Sequence, residues 1–275
     1  MSEHVDGYRD LPGGTTAYWQ GWVPPGERRA VVVLVHGLGE HGGRYAHVGR
    51  RLAEAGLACY CADHRGHGRT EGPRANVGRM THVVADLAEF VTFATEPGVP
   101  TFMLGHSMGG LLALLYATTH DHDLAGLVLT GAYLQVTQSS ALKPVAKLLS
   151  TLTPNLGVVP VIADAVSRDP QVVTAYRTDP LVHHGKVPVR TGAELLTATR
   201  GLPARLARLE IPVLILHGTD DRIATPEGSR MVHRAVSSPD RTLRLYDGLF
   251  HEVLNEPEGG EILDEVVGWM SDRIR

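Results

Sequence analysis

A chain of 275 residues is long enough to bury one large core and still carry an insertion. Its 43% hydrophobic and 20% charged residues are ordinary for a globular protein. A formal net charge of −4 with no Lys/Arg-rich block excludes nucleic acid as the main partner, because phosphate binding needs a concentrated basic face. The opening MSEHVDGYRDLPGG lacks the apolar stretch of a secretory signal, and no apolar run reaches membrane-spanning length. A soluble or peripheral protein is therefore expected, cytoplasmic or held at a membrane or envelope surface.

After a strand-like opening over 15–23, the continuous β-branched run AVVVLV (30–35) predicts a buried strand that ends in His-Gly. Helical spacing from about 45 to 55 stops at Gly56. LACYCAD (57–63) predicts the next strand, and its Cys59 and Cys61 stand two apart, poorly placed to bridge each other and too few for a zinc site. Buried core thiols are expected there. A helix over 80–95, a strand over 101–104, a helix over 108–119 and a strand over 124–129 follow. Between 134 and 206 the rhythm changes: prolines recur and no strand is convincing, so the segment is expected to be a helical cap inserted over the sheet. The alternation resumes with IPVLILHG (211–218), a helix over 226–235, a strand over 242–246 and a closing helix. The pattern predicts an α/β fold with a mostly parallel central sheet and helices on both faces, its core formed by 1–133 and 207–275.

The chemistry centres on Gly105-His106-Ser107-Met108-Gly109, a G-x-S-x-G match at the junction of a predicted strand and a predicted helix. Small residues on either side permit a sharp turn, which lifts the Ser107 hydroxyl above the sheet beside the amides of the following helix. A serine hydroxyl needs a base, and the base needs an orienting carboxylate. In turns of this kind the partners follow in the order Ser, acid, His. Asp221 lies just past the strand ending at Gly218, and His251 just past the strand ending near Tyr246. Asp220 competes with Asp221 for the acid's place. His36-Gly37-Leu38-Gly39 leaves the first central strand where one oxyanion amide is expected, that of Leu38, with the amide of Met108 as the second. The histidines of Asp63-His64-Arg65-Gly66-His67-Gly68 are expected to shape a loop rather than hold a metal. Neither a metal nor an organic cofactor is required.

HGLGEHGGRY (36–45), DHRGHGRTEG (63–72), GHSMGG (105–110), LHGTDDR (216–222) and GLFHEVLNEPE (248–258) together resemble the monoacylglycerol lipases of the α/β-hydrolase superfamily, in that family's order. SRDP (167–170) and TDPLVHHGKVP (178–188) extend the likeness into the cap, toward bacterial members. The resemblance implies hydrolysis of a monoacylglycerol to fatty acid and glycerol, with Ser107, Asp221 and His251 as the triad. It also implies that Glu40 and Arg44 help line the pocket for the glycerol head; their i, i+4 spacing equally fits a pair supporting a helix start. One position departs from the mammalian members, which carry a second histidine three residues after the catalytic one, where Leu254 stands here. A lysophospholipase or broad carboxylesterase would use the same triad, whereas dehalogenases and epoxide hydrolases place aspartate at the position of Ser107. A non-catalytic lipid-binding relative has no need of all three residues. Within the cap, 141–152 carries Leu142, Val145, Leu149 and Leu152 on one helical face and Lys143 and Lys147 on the other. Such a helix suits either contact with a membrane or micelle or packing over an acyl tunnel.

Overall fold

Strand–helix alternation becomes, in the computed structural model, one eight-stranded sheet with helices on both faces. The structure describes residues 2–12, 14–120, 124–134, 149–160 and 162–274. The strands are β1 (Glu3–Leu11), β2 (Thr15–Val23), β3 (Ala30–Val35), β4 (Leu57–Ala62), β5 (Thr101–His106), β6 (Leu124–Thr130), β9 (Val213–Gly218) and β10 (Arg241–Tyr246). They lie in the order β1-β2-β4-β3-β5-β6-β9-β10. From β4 to β10 every neighbouring pair is parallel, while β2 runs antiparallel to both β1 and β4. Strand β1 has no counterpart in the sequence reading, because its residues are mostly polar and exposed and give no apolar run.

Side-chain alternation divides the core in two. Val31, Val33 and Val35 of β3, Met103 of β5 and Ile215 of β9 face one layer. That layer contains α2 (Met80–Ala94), α3 (Met108–Ala117), α5 (Val189–Leu206) and α6 (Pro226–Ala235). Val32, Leu34, Phe102, Leu104 and Leu216 face the other, against α1 (Ala46–Glu54) and α7 (Gly259–Ser271). Strands buried on both faces cannot alternate apolar with polar, which is why β3 and the first four residues of β9 read as unbroken apolar runs. Helix α3 is buried on every side, and its sequence MGGLLALLYA has no polar face. Cys59 and Cys61 point into the second layer as free, buried thiols.

Between β6 and β9 the described residues form a small cover. Strand β7 (Gly157–Pro160) pairs antiparallel with β8 (Lys186–Pro188), and α4 (Pro170–Thr178) lies between them. Asp169 caps α4 by accepting the Gln171 amide at 2.8 Å, with proline at the first helical position. The strand pair departs from the reading that 134–206 holds no strand. It is short, contains two prolines and is largely exposed, so it lacks the apolar alternation by which strands are recognised. Val166, Tyr176 and Val182 form this region's own small apolar cluster. The last part of 134–206, helix α5, sends Leu195, Leu202 and Leu206 into the main core beside α2 and α3. Residues 141–148 of the amphipathic segment lie outside the described residues. Among the described residues no helix is long and apolar enough to cross a membrane.

Candidate active site

Ser107 ends β5 and precedes α3 with φ 53° and ψ −118°, a left-handed backbone that side chains rarely adopt. Only glycine fits on either side. A Cβ on Gly105 would stand 2.6 Å from the Gly109 carbonyl oxygen, and one on Gly109 only 1.9 Å from that of Val35. The strained residue is clamped through its own backbone. Its amide donates to the Thr130 carbonyl at 3.0 Å, and its carbonyl accepts from the amides of Gly110 and Tyr133, each at 3.0 Å. Met108 opens α3, so its amide is among the four that a helix leaves without an intrahelical acceptor.

His251 and Asp221 arrive from the ends of β10 and β9. His251 Nδ1 lies 2.7 Å from Asp221 Oδ2. Because Nδ1 faces a carboxylate it carries the proton, leaving Nε2 as the basic nitrogen. Asp221 Oδ1 accepts the amides of Ile223 at 2.8 Å and Ala224 at 2.9 Å, while Oδ2 also lies 3.0 Å from His217 Nε2. His217 Nε2 faces only acceptors, Asp221 and the Ala224 carbonyl at 2.8 Å, so it too is a donor and its Nδ1 accepts from the Ser229 hydroxyl at 2.7 Å. Burial by itself would raise the Asp221 carboxyl, but His251 and His217 outweigh it and hold the group well below the usual carboxylate range. Burial likewise opposes charge on His251, and Asp221 outweighs that as well, so the imidazole is raised above 6.5. Asp220 is exposed and its carboxylate does not reach His251; its neighbour is the Thr219 hydroxyl at 3.4 Å.

Leu38 sits in a loop fixed from two directions. The Gly37 amide donates to Glu40 Oε1 at 2.6 Å, and the Gly39 carbonyl accepts the amide of His183, a residue of the cover, at 2.7 Å. Ser107, Met108, His251 and Leu38 line one cavity of about 310 Å³. One wall is apolar, made by Val158, Val159, Ile162, Val166, Val187 and Leu195. The polar groups gather around Glu40, Glu252 and Tyr176.

Glu40 and Arg44 do pair, Oε2 to NH1 at 2.6 Å, but only Glu40 lines the cavity. Arg44 turns instead to Glu252 in a bidentate contact, at 2.7 and 2.8 Å, with its guanidinium carbon 4.7 Å from the centre of the Tyr176 ring. The Tyr45 hydroxyl donates to Glu40 Oε1 at 2.6 Å. Burial alone would raise the Glu40 carboxyl, yet Arg44, Tyr45 and the Gly37 amide bring it down to about 2. Sequence reasoning missed Glu252, Tyr176 and His217. An acid directly after His251 and a histidine four residues before Asp221 were the signals available. His36, His64 and His67 pack ring against ring, the closest pair with centroids 4.1 Å apart. The His64 amide donates to His36 Nε2 at 3.0 Å. Burial lowers His64 to about 4 and His67 to about 3, which leaves them neutral parts of the loop wall.

A family profile described as serine aminopeptidase, S33, matches residues 26–258. The monoacylglycerol lipase of Mycolicibacterium smegmatis is 42% identical over 95% of this chain and 95% of its own. The monoglyceride lipase of Homo sapiens is 34% identical over 97% of this chain and 92% of its own. Among solved structures, the monoacylglycerol lipase of Paleococcus ferrophilus superposes with a TM-score of 0.84 at 31% identity, covering 94% of this chain and 99% of that one. The chain therefore belongs to the monoacylglycerol lipase family of α/β-hydrolases, and it is a carboxylic ester hydrolase.

Proposed function

We propose that the chain hydrolyses monoacylglycerols to free fatty acid and glycerol through an acyl intermediate on Ser107. The observation that carries this is a single cavity in which a strained serine and a histidine backed at 2.7 Å by a buried aspartate face an apolar wall, with acidic groups beside them. His251 Nε2 takes the proton of Ser107 as the hydroxyl oxygen attacks the ester carbonyl. Asp221 fixes the imidazole tautomer and stabilises the imidazolium, and the amides of Leu38 and Met108 hold the oxyanion. The imidazolium returns its proton to the departing glycerol oxygen. Water, deprotonated by the same nitrogen, then releases the fatty acid.

The apolar wall takes the acyl chain, and Glu40, buttressed by Arg44, takes glycerol hydroxyls. The described part of the cap, 149–160 and 162–206, forms the roof over this space, with helix α5 packed on the core. Leu152, Val159 and Ile162 are 68%, 58% and 53% exposed, and Val159 and Ile162 also line the cavity, so an apolar rim continues from its wall to the surface. That continuity supports peripheral contact of the cap with a membrane or micelle from which substrate enters.

The test is fatty-acid release from monoolein and from lysophosphatidylcholine of the same chain, with wild type and Ser107→Ala. Release from monoolein, abolished in the variant, is expected. Equal or greater release from the phospholipid overturns the substrate, and a folded chain that no fluorophosphonate labels at Ser107 overturns the mechanism.

A further inference from the structure

The polar end of the cavity carries an unbalanced charge. Glu40 and Glu252 both line it, while Arg44, the guanidinium between them, does not. Its donors are spent on the two acids: Nη1 reaches Glu40 at 2.6 Å and Glu252 at 2.7 Å, Nη2 reaches Glu252 at 2.8 Å, and the Tyr176 ring covers its face. Two carboxylates therefore stand against one guanidinium. The three side chains are only 4%, 9% and 5% exposed, so little water screens the excess. Of the histidines on the same walls, His106 is pushed down to about 4, chiefly by burial, and brings no compensating charge near neutrality. When protonated, His251 offsets the Asp221 carboxylate that it faces at 2.7 Å rather than Glu40 and Glu252, and Arg222, a further cation on the lining, is exposed to water beside the Phe250 ring, where its field is damped.

We propose that the Glu40–Arg44–Glu252 cluster makes the cavity select by charge, accepting neutral head groups and repelling anionic ligands, the fatty-acid product among them. The inference rests on the ester-hydrolase reading of the cavity and adds a discrimination which that reading does not contain. An acyl-serine and water give a free serine, a carboxylate and a proton, and the proton leaves through His251. The product thus bears a negative charge that neither the neutral ester nor the released alcohol has. A cavity with a desolvated net negative end distinguishes the two by Coulomb repulsion alone. The same repulsion acts on a phosphate monoester head group and spares a glycerol.

Calorimetric binding of decanoate and decanol at pH 8, below their aggregation concentrations, tests this without depending on any substrate. In the wild type decanoate is expected to bind at least about tenfold more weakly than decanol. In Glu252→Gln the ratio is expected to narrow by about tenfold, the change that one pKa unit's worth of interaction represents. Glu40→Gln, whose amide oxygen still accepts from Gly37, is expected to narrow it in the same direction and serves if Glu252→Gln fails to fold. A purely structural role would weaken both ligands together and leave the ratio unmoved. Equal binding of the two ligands to the wild type, no binding of either, or an unchanged ratio in the folded variants overturns the proposal. Monoolein hydrolysis measured on the same preparations separates the readings: a moved ratio without monoolein cleavage discards the substrate and keeps the charge selection.

Discussion

The floor and the roof of the cavity are built by different means. On the floor each side chain of the proposed triad follows a strand end and is tied down: Ser107 through its backbone, between Thr130 and Tyr133, and Asp221 through its carboxylate, which accepts two amides of its own loop. His251 packs so closely on Gly131 that a Cβ there would stand 2.6 Å from the His251 carbonyl oxygen. Among the described residues the roof has one short antiparallel pair and a small apolar cluster around Val166, Tyr176 and Val182, with Val158, Val159 and Ile162 left exposed. Chemistry at an ester carbonyl tolerates errors of a fraction of an ångström, so it needs a floor fixed by backbone geometry. Holding an alkyl chain needs only apolar area, which many arrangements supply. The two halves are tied at many points, among them the His183 amide on Gly39 at 2.7 Å, the Glu252 amide on the Val166 carbonyl at 2.8 Å, His41 Nε2 beside Asp179 at 2.9 Å and Arg168 Nε on Glu256 at 3.0 Å.

If the floor is the chemical half, the largest losses follow from changes there. Asp221→Asn keeps the shape but presents the wrong hydrogen-bonding partner to His251 Nδ1, and kcat of the folded variant is expected to fall about 10⁴-fold, with a lower melting temperature because the buried carboxylate accepts only from donors. A loss under tenfold in steady-state kinetics would break the assignment of Asp221. Next, Gly109→Ala drives a methyl group into the Val35 carbonyl, and a loss of roughly 3 kcal/mol or more in urea unfolding is expected, together with loss of activity. A fully stable, active variant would show that the elbow is not constrained as described.

The pH profile sharpens the same half. The imidazole of His251 must be neutral to act as a base, and its pKa is raised above 6.5 because Asp221 outweighs burial. The acid limb of kcat/KM is therefore expected above pH 6.5, with activity rising as pH passes up through it. An acid limb below that value would mean that Asp221 does not govern His251. The smallest effect belongs to the roof. Val159→Ser with Ile162→Ser is expected to raise the apparent KM for monoolein in vesicles by a few-fold, while kcat for a short soluble ester changes little. A large fall in kcat for the soluble ester would erase the division between the two halves.

The sequence by itself determined the strand–helix order, the two-sided burial of the central strands and the serine turn, because each is a local property. Unbroken β-branched runs, glycines two residues before and after Ser107, and the succession of strand ends at Gly218 and Tyr246 are legible without any contact map. The two amides that hold the Asp221 carboxylate, the His217 support, and the bridging of Arg44 from Glu40 to Glu252, 208 residues along the chain, exist only in the tertiary structure. So do the β7–β8 pair and the docking of α5 on the core. The reason is physical: spacing along a chain fixes which side chains share a face, but a buried charge takes its partner from whatever element the fold folds against it.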